Sequence, residues 1–204
     1  MHDEGRTPVF AVGGGDTAVL FTGGHDVRFG MARALYGTFP VFRDRFDAVS
    51  RVMDVRLPLP LAAVVFAPEG GIDARLLRRG AFGRAALFAY QVALYRMWQD
   101  WGVEVGAVAG EGTGALAAAH AAGTLPLEEA ARCAVAGRRV RPAAGARAER
   151  ALCAAGFRLL LVCGPGRFGT GQVGQLPGLL AELGELQLCG PRIDFEGLWR
   201  ATRP

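Results

Sequence analysis

The residues best placed to carry chemistry lie in the run Gly110-Glu111-Gly112-Thr113-Gly114. A short buried-strand pattern, Val105 to Ala109, leads into it, and a small-residue helix pattern, Ala115 to Ala122, comes after it. Strand, glycine-rich turn and helix is the layout of a nucleophile elbow, GxSxG, whose middle residue takes a strained turn and projects its side chain over the helix N-terminus. The glycines allow the tight backbone, and the serine does the chemistry. Gly112 stands where that serine would be, so the turn survives without its nucleophile, while Glu111 adds an ionisable group to it. Taken alone, a GxGxG run is a weak signal and is also read as a phosphate loop.

The elements that must hold this turn are set by apolar spacing. Ala85 to Trp101 predicts a helix, with Leu87, Phe88, Val92, Tyr95 and Trp98 at intervals of three and four. Further helices are expected over Met31 to Tyr36, from Pro40 onward, over Leu127 to Ala136 and over Arg147 to Ala155. Strands are expected at Ala18 to Phe21 and Leu159 to Val162. Val9 to Val12 reads as another strand before a Gly13-Gly14-Gly15 turn, or as part of a leader. Pro58 to Pro68 is expected to be loop or edge, because three prolines break it. The tail predicts a helix near Leu176 to Leu183, a strand at Glu185 to Leu188 and an amphipathic turn with Phe195, Leu198 and Trp199. Strands alternating with helices imply an α/β fold, mostly parallel, with helices on both faces.

The 204 residues can bury a sizeable core, and 51% hydrophobic against 21% charged residues is a soluble globular composition, not a disordered one. No apolar run reaches transmembrane length uninterrupted, and the N-terminus lacks the pattern of a signal peptide, so a cytoplasmic protein without membrane association is expected. Cys133, Cys153, Cys163 and Cys189 are widely spaced and form no metal-ligand pattern with the three histidines. No metal or other cofactor is expected, and the thiols read as free and buried. The net charge is +4, and every one of the 23 basic residues is arginine. Arg75, Arg78 and Arg79, then Arg138, Arg139, Arg141, Arg147 and Arg150, read first as solvated surface and alternatively as a patch for an acidic protein or a phosphorylated cofactor. Nucleic acid is not an expected partner, because no recognition motif accompanies the arginines.

Beyond the elbow, Trp101 to Gly110 is similar to the segment that leads into the active-site serine of polyketide synthase acyltransferase domains. Ala117 to Gly123 and Leu127-Glu128-Glu129-Ala130 resemble the stretches after it. Phe21-Thr22-Gly23-Gly24-His25-Asp26 with Gly30-Met31 resembles the family's first strand and oxyanion loop. Leu35-Tyr36 with Phe39-Pro40-Val41-Phe42, Phe88 to Leu94, Cys163-Gly164-Pro165-Gly166 and Gly190 to Phe195 continue the likeness in order. The chain is therefore identified as a member of the malonyl-CoA-type acyl-carrier-protein acyltransferases. The implied division is a leader over 1–17, one α/β-hydrolase-like large subdomain over 18–199 and a tail over 200–204.

The resemblance also implies what is missing. Gly112 replaces the serine, Glu111 the histidine before it, and Gly24 the glutamine of the oxyanion loop. Gly137 replaces the arginine that grips a substrate carboxylate, with Arg138 adjacent, and Arg84 stands where the family often has a glutamine. The histidine base comes after a ferredoxin-like small subdomain in the family, whereas a short connection near 138–150 joins the two parts here. Ordinary serine-based acyl transfer is not expected. One expectation is a protein that binds an acyl carrier protein or synthase component, or that self-associates to cover exposed apolar surface. The other is a repurposed enzyme in which Glu111, His25 and Asp26 act in acid–base catalysis on a polyketide intermediate, with Arg84 and Arg138 as ligand-binding groups. His120 reads as a hydrogen-bonded structural residue, and the tryptophans as core or interface anchors.

Overall fold

The computed structural model describes residues 9–23, 27, 30–68, 70–71, 73–78, 80–138, 146–157, 159–164, 167–168 and 171–172. The expected tail elements, with Cys189 and Trp199, lie outside the described residues, as do Gly24, His25 and Asp26.

The chain order is β1 (Val9–Ala11), β2 (Thr17–Phe21), α1 (Arg33–Thr38), α2 (Pro40–Asp54), α3 (Leu61–Val65), a 3-10 turn (Asp73–Arg78), α4 (Gly80–Asp100), β3 (Val105–Gly110), α5 (Gly114–Ala121), α6 (Leu127–Ala136), α7 (Ala146–Ala154) and β4 (Leu159–Cys163). A short hairpin, β5 (Arg167–Phe168) with β6 (Gly171–Gln172), comes last. The four-stranded sheet has the order β1-β3-β2-β4. β2 runs parallel to both neighbours, with Phe21 opposite Gly110 on one side and Cys163 on the other. β1 pairs antiparallel with β3, so Val9–Ala11 is an edge strand and the strand–turn–strand reading holds there.

Alternation along the strands divides the core. Val19 and Phe21 join Val108, Leu161 and Cys163 in packing with α4, α5 and α6. Ala18, Leu20, Ala107 and Ala109 face the other way, with Leu152 of α7. The central helix is α4, which buries residues around its whole circumference, including Phe88, Tyr90, Tyr95 and Trp98. Such large buried side chains each contribute about 1.5–3 kcal/mol from burial. Against it α2 presents Phe42, Phe46, Val49 and Met53 at helical spacing. Trp101 is buried against Phe39, with ring centroids 5.2 Å apart, so Trp98 and Trp101 are both core.

Three expectations need correction. Within Pro58 to Pro68, residues Leu61–Val65 form a helix rather than loop or edge. Pro60 sits just before its first residue, where no N–H is needed, and Asp54 Oδ1 accepts the Leu61 N–H at 2.7 Å. The long helix also begins at Gly80, five residues before the apolar pattern. Gly83 is required inside it because a Cβ there would lie 2.6 Å from the Leu77 carbonyl oxygen. Among the described cysteines Cys163 is buried and Cys133 half-buried, but Cys153 is exposed, so burial does not extend to that thiol.

Candidate functional site

At the carboxyl end of β3 the backbone turns sharply into α5. The Glu111 N–H donates to the Phe21 carbonyl at 3.0 Å and ties the turn to β2. Gly114 N–H then closes onto the Glu111 carbonyl at 2.7 Å, and Ala115 N–H onto that of Gly112 at 3.3 Å. Gly112 has φ +52°, the left-handed conformation of a strained turn residue. Among the described residues, a Cβ placed on it would meet the Gly23 Cα alone, at 3.7 Å, an ordinary van der Waals contact. By contrast Gly114 packs directly on the Phe21 and Thr22 carbonyls, and Gly110 on the Gly114 carbonyl, which leaves no space for any side chain. Glu111 and Gly112 are both half-buried.

Below the turn a buried amide fixes the strand ends. Gln91, on α4, is fully buried and donates from Nε2 to the Thr22 and Cys163 carbonyls, each at 2.9 Å. These carbonyls end β2 and β4, which are also joined by Thr22 N–H to Cys163 O at 3.1 Å. The Cys163 thiol donates back to the Gln91 carbonyl at 3.3 Å. Sequence reasoning did not single out Gln91. The available signal was a polar residue four places after Leu87 and four before Tyr95, in the middle of an apolar face.

A second group lies where α6 stops. Gly137 has φ +71°, its N–H bonds Ala134 O at 3.2 Å, and Arg138 N–H bonds Cys133 O at 3.0 Å, the pattern of a Schellman terminus. Arg84 reaches across from α4 and donates from Nε to Ala134 O and from Nη2 to Val135 O, both at 2.8 Å. Glu111, Gly112 and the Gly23 backbone are neighbours, and so are Arg84 and Gly137. Arg138 is exposed.

His120, near the end of α5, has Nδ1 3.1 Å from the Leu125 carbonyl and its ring against Phe88 at 6.3 Å. It serves structure, as the sequence suggested. Burial pushes its pKa below the ordinary histidine value, with the Leu125 hydrogen bond opposing. The folded state therefore favours the neutral ring. The associated stability is complete above about pH 6.5 and is lost as the pH falls below that value. The thermal midpoint is expected to decline as the pH falls below about 6.5, and His120→Asn to flatten the decline; equal slopes in the two proteins would assign the loss elsewhere.

A mostly parallel sheet that runs from β3 through a left-handed glycine turn into a helix defines an α/β protein of the nucleophile-elbow class, here without the nucleophile. Residues 20–168 match the family described as acyl transferase domain, and the chain belongs to that family. Polyketide synthase GfsA of Streptomyces halstedii is 45% identical over 136 residues, which are 65% of this chain and 2% of that synthase. The acyltransferase domain from the second module of the salinomycin polyketide synthase matches in structure with a TM-score of 0.52 at 38% identity, covering 60% of this chain and 27% of that one. A malonyl-transacylase solved in complex with its type II polyketide synthase acyl-carrier protein matches at TM-score 0.51 and 28% identity, over 60% of this chain and 38% of that one. The chain thus spans well under half of these solved relatives. Its fold is the acyltransferase large subdomain; the ferredoxin-like small subdomain is absent between α6 and β4, which residues 137–158 connect. Among the described residues no helix is long and apolar enough to cross a membrane, and no cluster of His, Cys, Asp or Glu could hold a metal ion.

Proposed function

We propose that this chain is a non-catalytic acyltransferase-like protein of polyketide biosynthesis that binds an acyl carrier protein or another synthase component. The elbow carries this reading: the strand, the left-handed turn with Gly112 at φ +52° and the helix are kept, yet position 112 has no side chain to attack a thioester. Retention of the scaffold without the nucleophile favours recognition over transfer. Support comes from the related transacylase that was solved with a carrier protein. The positive charge of this chain, +4, also suits an acidic partner.

Titration calorimetry against holo acyl carrier proteins and isolated synthase domains tests the binding. Complex formation without acyl transfer from malonyl-CoA is the expected result. A monomeric protein that binds none of them removes the reading. Gly112→Ser should fold, at about 1–2 kcal/mol for a non-glycine residue in the left-handed region. It should still transfer no acyl group, because residues 137–158 bring no histidine to act as base. Acyl-enzyme formation by that variant, seen by mass spectrometry, would show that one substitution alone had silenced the site.

The half-buried Glu111 in the turn favours a second reading, acid–base catalysis on a polyketide intermediate with His25 and Asp26 as further participants. Turnover of a carrier-bound or free polyketide that is abolished by Glu111→Ala or His25→Ala would establish it. Absence of any such turnover would return the site to recognition alone.

A further inference from the structure

We infer that Arg84 forms an anion-holding site at the carboxyl end of α6, a site that exists because positions 80 and 137 are both glycine. The guanidinium is fixed before any ligand arrives. Its Nε and Nη2 are bonded to the Ala134 and Val135 carbonyls, which hold one edge of the fork against α6. The other edge, Nη1 with the second Nη2 proton, is turned away from those carbonyls and has the spacing that receives two oxygens of one anion.

Both flanks of the group are clear only because side chains are missing. A Cβ on Gly80 would lie 2.7 Å from Nη1, and a Cβ on Gly137 would lie 2.9 Å from both Cζ and Nη2. Arg84 cannot retreat from such an atom without breaking its two bonds to α6. Gly80 is exposed and Arg84 half-buried, so the Nη1 side has access to solvent.

The cation also has no carboxylate partner among the described residues. The side-chain ion pairs among the described residues are Arg45 with Asp100 and Arg132 with Glu129, and Arg84 takes part in neither. The negative pole of α6 favours a cation here, but it supplies only partial charge. A half-buried guanidinium whose second edge has no carboxylate partner among the described residues is suited to a carboxylate or phosphate group. Arg138, exposed and next to Gly137, adds a second positive charge on the same helix end.

The test uses the free chain and two small ions, so it stands apart from the carrier-binding reading. The backbone N–H signals of Gly137 and Arg138, together with the side-chain Nε–H signal of Arg84 where that residue is present, are tracked by nitrogen-15 NMR during titration with sodium acetate and, separately, sodium phosphate. A saturable shift is expected, lost in Arg84→Gln and about tenfold weaker in Arg84→Lys, which keeps the charge but not the fork. Gly137→Ala should weaken binding and speed exchange of the Nε proton, while dispersed amide spectra confirm that each variant is folded. Tighter binding of phosphate points to a phosphorylated ligand, and tighter binding of acetate to an acid. No saturable shift with either ion, or the same shift in Arg84→Gln, overturns the site; unaltered binding in Gly137→Ala overturns its dependence on glycine.

Discussion

Gln91→Leu is expected to lower the thermal midpoint by about 4–16 °C, from a loss of about 2–4 kcal/mol. The side chain is fully buried, and its Nε2 serves the carbonyls that end β2 and β4. Cys163 O keeps the Thr22 N–H as a donor, so the heavier penalty falls on Thr22 O. Leucine fills similar space but offers no donor. Gln91→Glu separates packing from hydrogen bonding. A carboxylate there faces two carbonyl oxygens, so this variant should be less stable than the leucine variant at neutral pH. It should recover partly in acid, where a protonated carboxyl donates one bond. Differential scanning calorimetry of the three proteins at two pH values reads the order directly. A glutamate variant as stable as wild type at neutral pH would mean that water enters this position.

Gly114→Ala should be at least as damaging, at about 3 kcal/mol or more. The added methyl group would run into the Phe21 and Thr22 carbonyls, which are backbone atoms at the end of the central strand and cannot rotate aside. The control lies two residues away. Gly112→Ala introduces the same methyl group where, among the described residues, the nearest atom is the Gly23 Cα at 3.7 Å, so the left-handed backbone penalty of about 1–2 kcal/mol dominates. Denaturant unfolding should therefore rank Gly114→Ala well below Gly112→Ala. Equal losses would mean that φ, not crowding, governs both glycines.

Much of this fold was legible because its signals are local. Apolar spacing marked α2, α4 and α6, and the glycines of residues 110–114 marked the turn between β3 and α5. The features that escaped depend on contacts distant in sequence. Helix α3 hides among prolines because its first N–H is capped by Asp54, seven residues earlier. The start of α4 passes through Gly80 and Gly83, poor helix formers that Arg84 and Leu77 require to be small. Arg84 reads from the sequence as a ligand-binding group, with no sign of what holds it. Its partners are carbonyls fifty and fifty-one residues away, which no local pattern announces. Of the candidate site, Glu111 and Gly112 could be placed from the motif alone, whereas Gln91 became visible only as a donor to two strand ends.

The end of α6 has a use in protein engineering. The helix is halted twice, once by the left-handed Gly137 and its two backbone bonds, and once by the guanidinium of Arg84 on the last carbonyls. A guest sequence spliced in after Arg138 would neither extend the helix nor unravel it, because both stops are made by residues 84 to 138 alone. That junction is a ready graft point for a reporter or a binding module, with α7 and then β4 taking up the chain on its return.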